Sequence, residues 1–379
     1  MNVPLLDVNA QNGPLESALK EAFERVLKSG QYILGPEIDQ FEQQVAKVLD
    51  VRHAISVSSG TDAILLALMA LGIKAGDEVI CPTFTFFATA GCIARTGATP
   101  VFVDSDPTSF NIDPKSIVAK ITPRTKAILP VHLFGQPADL ETILRIANEH
   151  NLHVIEDAAQ AFGATYRGRP VGTFGAFGTF SFFPSKNLGG FGDSGLVSTN
   201  RDDLADLARL LRTHGSRPKY YHKFVGANFR MDPLQAALLG VKLAHNSTYN
   251  KKREANATYY TERLSGISGV RFGTAEGRII LPANSSDSGH IWNQYTIRVL
   301  GNGRRDLLKT HLANLGIGTE IYYPVPLHQQ ECFAYLKQHS TGFPVANQLA
   351  SEVLSIPIYP ELSDAQKDHV ISGIESFLN

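Results

Sequence analysis

Apolar residues recur along this chain with two different periods, and the changes between them mark out its elements. From Pro14 to Lys28 and from Pro36 to Leu49 the apolar positions fall three and four apart, which predicts two amphipathic helices. The short apolar run His53 to Val57 predicts a strand, and Thr61 to Leu71 a helix. The alternation then continues. Strands are expected at Glu78 to Cys81, Pro100 to Val103, Ala127 to Val131 and His153 to Glu156, with helices at Phe87 to Arg95 and Leu140 to His150. Apolar strands separated by helices imply βαβ units. The expected fold is therefore α/β, built on a mostly parallel sheet buried on both faces. After Ala176 the rhythm changes: Phe177 to Phe183 and Gly195 to Thr199 read as strands joined by a glycine loop, and Asp202 to His214 as a helix.

Asp232-Pro233 opens a long helical stretch, with Asp232 as N-cap and Pro233 at the first helical position. It continues with interruptions to Leu264 and is expected to bridge two domains. Beyond it come a strand (Gln294 to Val299), a helix (Arg305 to Leu315), a strand (Thr319 to Tyr322) and helices near Val345 and Asp364. This predicts a smaller C-terminal α+β domain, dividing the chain into residues 1–245 and 246–379.

Composition narrows the function. The 379 residues are 43% hydrophobic and 19% charged, which is ordinary globular usage, and the net charge of −1 gives no footprint for nucleic acid. The one basic run, Lys251-Lys252-Arg253, reads as the solvated face of a helix. Cys81, Cys92 and Cys332 form no CxxC pair, so neither a disulfide framework nor a zinc site is expected, and no metal. The start has no basic and apolar leader, and no apolar run is long enough to span a membrane. A cytoplasmic protein without membrane or nucleic-acid partners is expected.

Lys186 carries the chemistry. Phe177, Phe180, Phe182 and Phe183 precede it, and Gly189, Gly190 and Gly192 follow. A lysine leaving an apolar strand into a tight glycine turn is partly desolvated. Desolvation disfavours the ammonium and leaves an amine able to attack an aldehyde. Alone it would read as a snorkelling surface lysine; its companions change that. Ser56-Val-Ser-Ser-Gly-Thr-Asp-Ala, between a strand and a helix, leaves backbone N–H groups at a positive helix terminus, a site for an anion. There Gly60 admits close approach, Thr61 adds a hydroxyl and Asp62 caps the turn, although N-capping by Ser59 or Thr61 would also account for the run. Asp157 ends a buried strand, at the edge where open α/β sheets bind ligands. A carboxylate there needs a partner. A pyridinium N–H would supply one and make the ring an electron sink. Gln160 is suited to the ring's hydroxyl, and Phe86 to stacking on its face. Gly190-Phe-Gly-Asp-Ser-Gly matches G-x-G-x-x-G on paper, but it leads into a strand, not a helix, so a dinucleotide site is excluded there. Its glycines are expected to make room around Lys186.

These pieces, in this order, resemble the fold-type I pyridoxal-phosphate enzymes, and more closely the sugar aminotransferases called DegT/DnrJ/EryC1/StrS. The resemblance is carried by Gln31-Tyr-Ile-Leu-Gly-Pro-Glu, Ser58-Ser-Gly-Thr-Asp-Ala, Asp77-Glu-Val-Ile-Cys-Pro-Thr-Phe-Thr-Phe, Pro130-Val-His-Leu-Phe-Gly-Gln, Val154-Ile-Glu-Asp-Ala-Ala-Gln, Ser181-Phe-Phe-Pro-Ser-Lys-Asn-Leu-Gly, Asn228-Phe-Arg-Met-Asp-Pro-Leu-Gln-Ala-Ala and Tyr322-Tyr-Pro-Val-Pro-Leu-His. It implies a seven-stranded sheet and pyridoxal 5′-phosphate held as an imine by Lys186. It also implies Asp157 on the ring nitrogen, Gln160 on the ring hydroxyl and Phe86 on the ring face. The phosphate would lie on Gly60, Thr61, Ser181 and a neighbouring subunit's Asn228, making an obligate homodimer with shared sites. Tyr32, Arg230, Tyr322 and His328 would approach the substrate. The implied reaction is transamination from L-glutamate, leaving 2-oxoglutarate, to a nucleotide-linked keto-sugar. The Gln31 and Pro130 segments look more like members acting on 3-keto sugars, such as UDP-3-keto-N-acetylglucosamine, with 4-keto-6-deoxy sugars as the alternative. Dehydratases of this family carry histidine where Lys186 stands, and a non-catalytic sensor would not need Asp157, Gln160 and Lys186 together.

Overall fold

A computed structural model of the chain describes residues 1–273, 277–284, 287–338 and 340–379. Its centre is a seven-stranded sheet. Across the sheet the strands run His53–Val57, Gly195–Thr199, Phe177–Ser181, His153–Asp157, Thr125–Ile128, Glu78–Pro82 and Thr99–Val103. Gly195–Thr199 is antiparallel to both its neighbours, and the remaining pairs are parallel. The expected mostly parallel α/β sheet is therefore present. Its strands are mostly apolar because helices cover both faces: Ile55, Val79, Ile80, Ile128, Ile155 and Val197 are wholly buried.

Parallel strands joined by helices end on the same edge of a sheet. Polar residues at the ends of several of them (Asp157, Ser181) or just beyond (Ser59, Thr85) converge there. A buried ion pair locks this layer: Arg212 donates to Glu42 and to the Ser56 carbonyl, while Glu42 also accepts from Ser56 N–H and Oγ. That ties the Pro36–Leu49 and Asp202–Arg212 helices to the first strand.

A second apolar cluster surrounds a four-stranded sheet ordered Val270–Phe272, Ile279–Leu281, Tyr295–Val299 and Val353–Ile356. Val3 belongs to this cluster and pairs with Ile317, so the first residues join the far end of the chain.

Several expectations are corrected. The helical stretch from Asp232 is two helices, Pro233–Leu243 and Asn246–Ser265, and Asp232 occupies the N-cap position without a side-chain capping bond. Thr319 to Tyr322 is no strand; only Glu320 forms a bridge, to Ser355. Arg253 does not belong to a solvated face. It is buried and its guanidinium donates to the carbonyls of Trp292, Asn293 and Ile358, while Lys251 and Lys252 are exposed. Among the described residues no helix is long and apolar enough to cross a membrane.

Candidate active site

A cavity of about 430 Å³ opens at the carboxyl edge of the large sheet. Its lining includes Gly60, Thr61, Phe86, Asp157, Gln160, Ser181, Lys186 and Tyr322, eight of the residues singled out from sequence. Asp62 does not line it. Ser59 caps the helix instead, accepting from the Asp62 N–H at 3.0 Å, and the Asp62 carboxylate accepts from Ser58 Oγ at 2.6 Å. The amides of Gly60 and Thr61 remain at the start of the helix, where helical geometry offers them no carbonyl.

Gly60 is required by contact. A Cβ there would meet Ser181 Cβ at 2.6 Å. The loop after Ser181 is pinned by Phe182 N–H to Ser194 O and Gly190 N–H to Phe182 O, and its turn by Lys186 N–H to Phe183 O. Asn187 follows, buried, its amide donating to Asn250 Oδ1 at 2.7 Å and to Ile291 O at 3.0 Å. Lys186 is thus set by residues on both sides of it. The glycines serve this close packing: a Cβ on Gly189 would lie 2.3 Å from Pro184 O and 3.2 Å from Lys186 O, so its absence leaves room for the turn that carries Lys186. Gly195 begins a strand, as the rejection of a dinucleotide motif requires.

Charge in the cavity is unusual. Desolvation pulls the Lys186 amine down to about 8, against the opposing attraction of Asp157. Burial pushes Asp157 up from the usual carboxylate range, while hydrogen bonds from Thr89 Oγ1 and Ala159 N–H pull it back. Asp157 forms no ion pair among the described residues. Gln160 Oε1 accepts from Phe134 N–H at 2.6 Å, and its amide donates to Tyr323 OH at 3.0 Å. Phe86 is 55% exposed, not a core residue, and its ring tilts toward Tyr323.

The remaining expected residues lie elsewhere in this chain. Tyr32 is exposed and bonds Leu27 O; Asn228 is exposed; Arg230 is half-buried. His328 is buried, with Nδ1 2.8 Å from Thr83 Oγ1. None of the four lines the cavity. Sequence reading missed Thr89, Tyr323, Asp193 and Gln294. A signal existed for Thr89, a hydroxyl four residues after Thr85 at the start of an otherwise small-residue helix. Asp193 and Gln294 gave none.

The site fits pyridoxal phosphate by its own geometry. It pairs a helix terminus held open by a glycine with a buried carboxylate lacking a cation and an amine with lowered basicity. Among the described residues no group of three or more His, Cys, Asp or Glu could hold a metal ion.

The family model for DegT/DnrJ/EryC1/StrS aminotransferases matches residues 15–375. A Geobacillus stearothermophilus protein named "Pleiotropic regulatory protein" is 46% identical, covering 100% of this chain and 99% of its own. A UDP-N-acetyl-3-dehydro-alpha-D-glucosamine 3-aminotransferase from Acidithiobacillus ferrooxidans is 44% identical over 100% of this chain and 98% of its own. The crystal structure of Streptomyces venezuelae DesV in complex with a ketimine intermediate superposes with a TM-score of 0.94 at 43% identity, covering 99% of this chain and 98% of that one.

Proposed function

We propose that this chain, which belongs to the DegT/DnrJ/EryC1/StrS aminotransferase family, transfers an amino group from L-glutamate to C3 of a keto-sugar carried on a nucleotide diphosphate. It is a pyridoxal-phosphate-dependent transferase, as its family is. The observation that carries the reaction class is the low-basicity amine of Lys186 sharing one cavity with the buried Asp157. The cofactor, when bound, supplies an aldehyde and an electron-withdrawing ring.

The chain's residues do the rest. The Gly60 and Thr61 amides and the Ser181 hydroxyl would hold the cofactor's phosphate. Asp157 would face the ring nitrogen, Gln160 the ring hydroxyl, and Phe86 the ring face. Lys186 Nζ would hold the cofactor through its aldehyde and, once freed by the donor's amine, would serve as the base that carries a proton from the substrate carbon, across the nitrogen, to the former aldehyde carbon. Proton transfer of this kind is worth roughly 10²–10⁴-fold. Tyr322 lines the same cavity and faces the substrate.

A homodimer with shared sites completes the reading. Lys186 is the only Lys, Arg or His lining the cavity among the described residues, yet a phosphate and a dicarboxylate must be bound. Arg230 has a buried Nε without a partner, and Asn228 stands exposed beside it. Phe86 and Phe183 line the cavity and are each about half exposed, apolar surface suited to a second copy. On that arrangement Tyr32, Asn228 and Arg230 serve the partner's cavity.

The C3 assignment is supported by the relative whose name states a 3-dehydro-glucosamine substrate; a 4-keto sugar is the alternative. The regulatory name of the Geobacillus protein raises a sensor reading, and the cavity speaks for turnover. The test is to load the protein with cofactor and glutamate, remove the donor, and offer 3-keto and 4-keto nucleotide sugars separately. Amino-sugar formed from the 3-keto panel alone is expected. Amination of only the 4-keto panel would overturn the C3 assignment, and of neither the sugar reading itself.

A further inference from the structure

An anion buried as deeply as Asp157 must be stabilised from within the protein. Its Oδ1 accepts from Ala159 N–H at 3.2 Å, and its Oδ2 from the Thr89 hydroxyl at 2.8 Å. Thr89 is itself wholly buried in the Ala88–Arg95 helix and does not line the cavity. Its Oγ1 lies 3.4 Å from that of Thr85, which does. A hydroxyl has one proton to give. The closer, charged acceptor takes it, leaving Thr89 Oγ1 able to accept from Thr85.

We propose that Thr89 is a positioning residue: it holds Asp157 ionised and aimed into the cavity, and so keeps the proton on the cofactor's ring nitrogen. The inference rests on Asp157 being the ring's partner, as proposed above. Carboxylate and pyridine share one proton. A hydrogen bond donated to the carboxylate stabilises the arrangement with carboxylate charged and ring protonated. The other groups facing Asp157 act less strongly or stay neutral. Lys186 and His132 favour its anion at longer range, and Cys92 and Tyr323 are held neutral by burial, which pushes the cysteine up to about 12 and the tyrosine higher still.

The test is the ¹⁵N chemical shift of the ring nitrogen in full-length protein reconstituted with ring-labelled pyridoxal phosphate, followed against pH. Wild type and Thr89→Ser are expected to show a protonated ring at neutral pH. Thr89→Val, equal in shape but without the hydroxyl, leaves the carboxylate more basic, and its ring nitrogen is expected to shift at neutral pH toward the value of a neutral pyridine as Asp157 draws the shared proton. If Thr89→Val binds cofactor too weakly, Thr89→Ala takes its place. Asp157→Asn is measured alongside. A Thr89→Val profile matching wild type overturns the inference. If Asp157→Asn alone loses the ring proton, only the role of Thr89 falls; if neither variant does, the assignment of Asp157 falls with it.

Discussion

Replacing Gly60 with alanine should damage the site in a way the structure makes quantitative. The new Cβ would lie 2.6 Å from Ser181 Cβ and 3.2 Å from both its Cα and its Oγ. Carbon atoms prefer about 3.5–4.0 Å, so the helix terminus and the Phe177–Ser181 strand end must separate by roughly 1 Å. Both belong to wholly buried surroundings, with Ala63 and Phe180 at 0% exposure, so the movement cannot be absorbed locally. Overpacking of this kind costs about 1–3 kcal/mol. If the strain falls on the apoprotein, the melting temperature drops. If it appears only when the phosphate is clamped, cofactor Kd rises about 5- to 150-fold. Both are measured, by thermal melting of the apoprotein and by fluorescence titration with pyridoxal phosphate. The double variant Gly60→Ala/Ser181→Gly removes the colliding atom and should lose less than the two single changes summed. A Gly60→Ala protein equal to wild type in both measurements, or a strictly additive double variant, would refute the steric reasoning.

Lys186→Ala should lower transamination by about 10⁴-fold or more and abolish the borohydride-reducible adduct with cofactor; turnover without added amine would remove Lys186 from its role. Because the Lys186 pKa is lowered to about 8, its neutral, nucleophilic form grows as pH rises through that value. At pH 7 about one amine in ten is neutral, against about one in three thousand for an ordinary lysine. Adduct formation between apoprotein and cofactor should therefore have a midpoint near 8, and a midpoint near 10 would contradict the desolvation. Arg212→Met leaves the Glu42 carboxylate in the core without its cation and should destabilise the protein by about 3–5 kcal/mol in chemical denaturation; a loss under about 1 kcal/mol would show that Ser56 alone satisfies Glu42.

Much of the fold was legible because periodicity reports burial. The strand ending at Asp157 and the helix beginning at Gly60 were each placed to within a residue. Misreadings arose where a local pattern met a distant contact. Arg253 looks solvated in a polar helix, yet three carbonyls from sequence-remote segments collect its guanidinium. Val353–Ile356 went unread as a strand because its partner, Tyr295–Val299, lies more than fifty residues earlier.

The sequence by itself determined the chemistry-bearing types and their order: a desolvated lysine before a glycine turn, a carboxylate closing an apolar strand, and glycine at a helix entrance. Those follow from local sterics and from the need to bury apolar runs, which act within a few residues. Only the tertiary structure decided which groups share one space. It joined Thr89 to Asp157 across 68 positions and Gln160 to Tyr323 across 163, and it left Tyr32, Asn228, Arg230 and His328 outside the cavity. The reason is physical: a hydrogen bond or a desolvated charge depends on distances that packing alone sets.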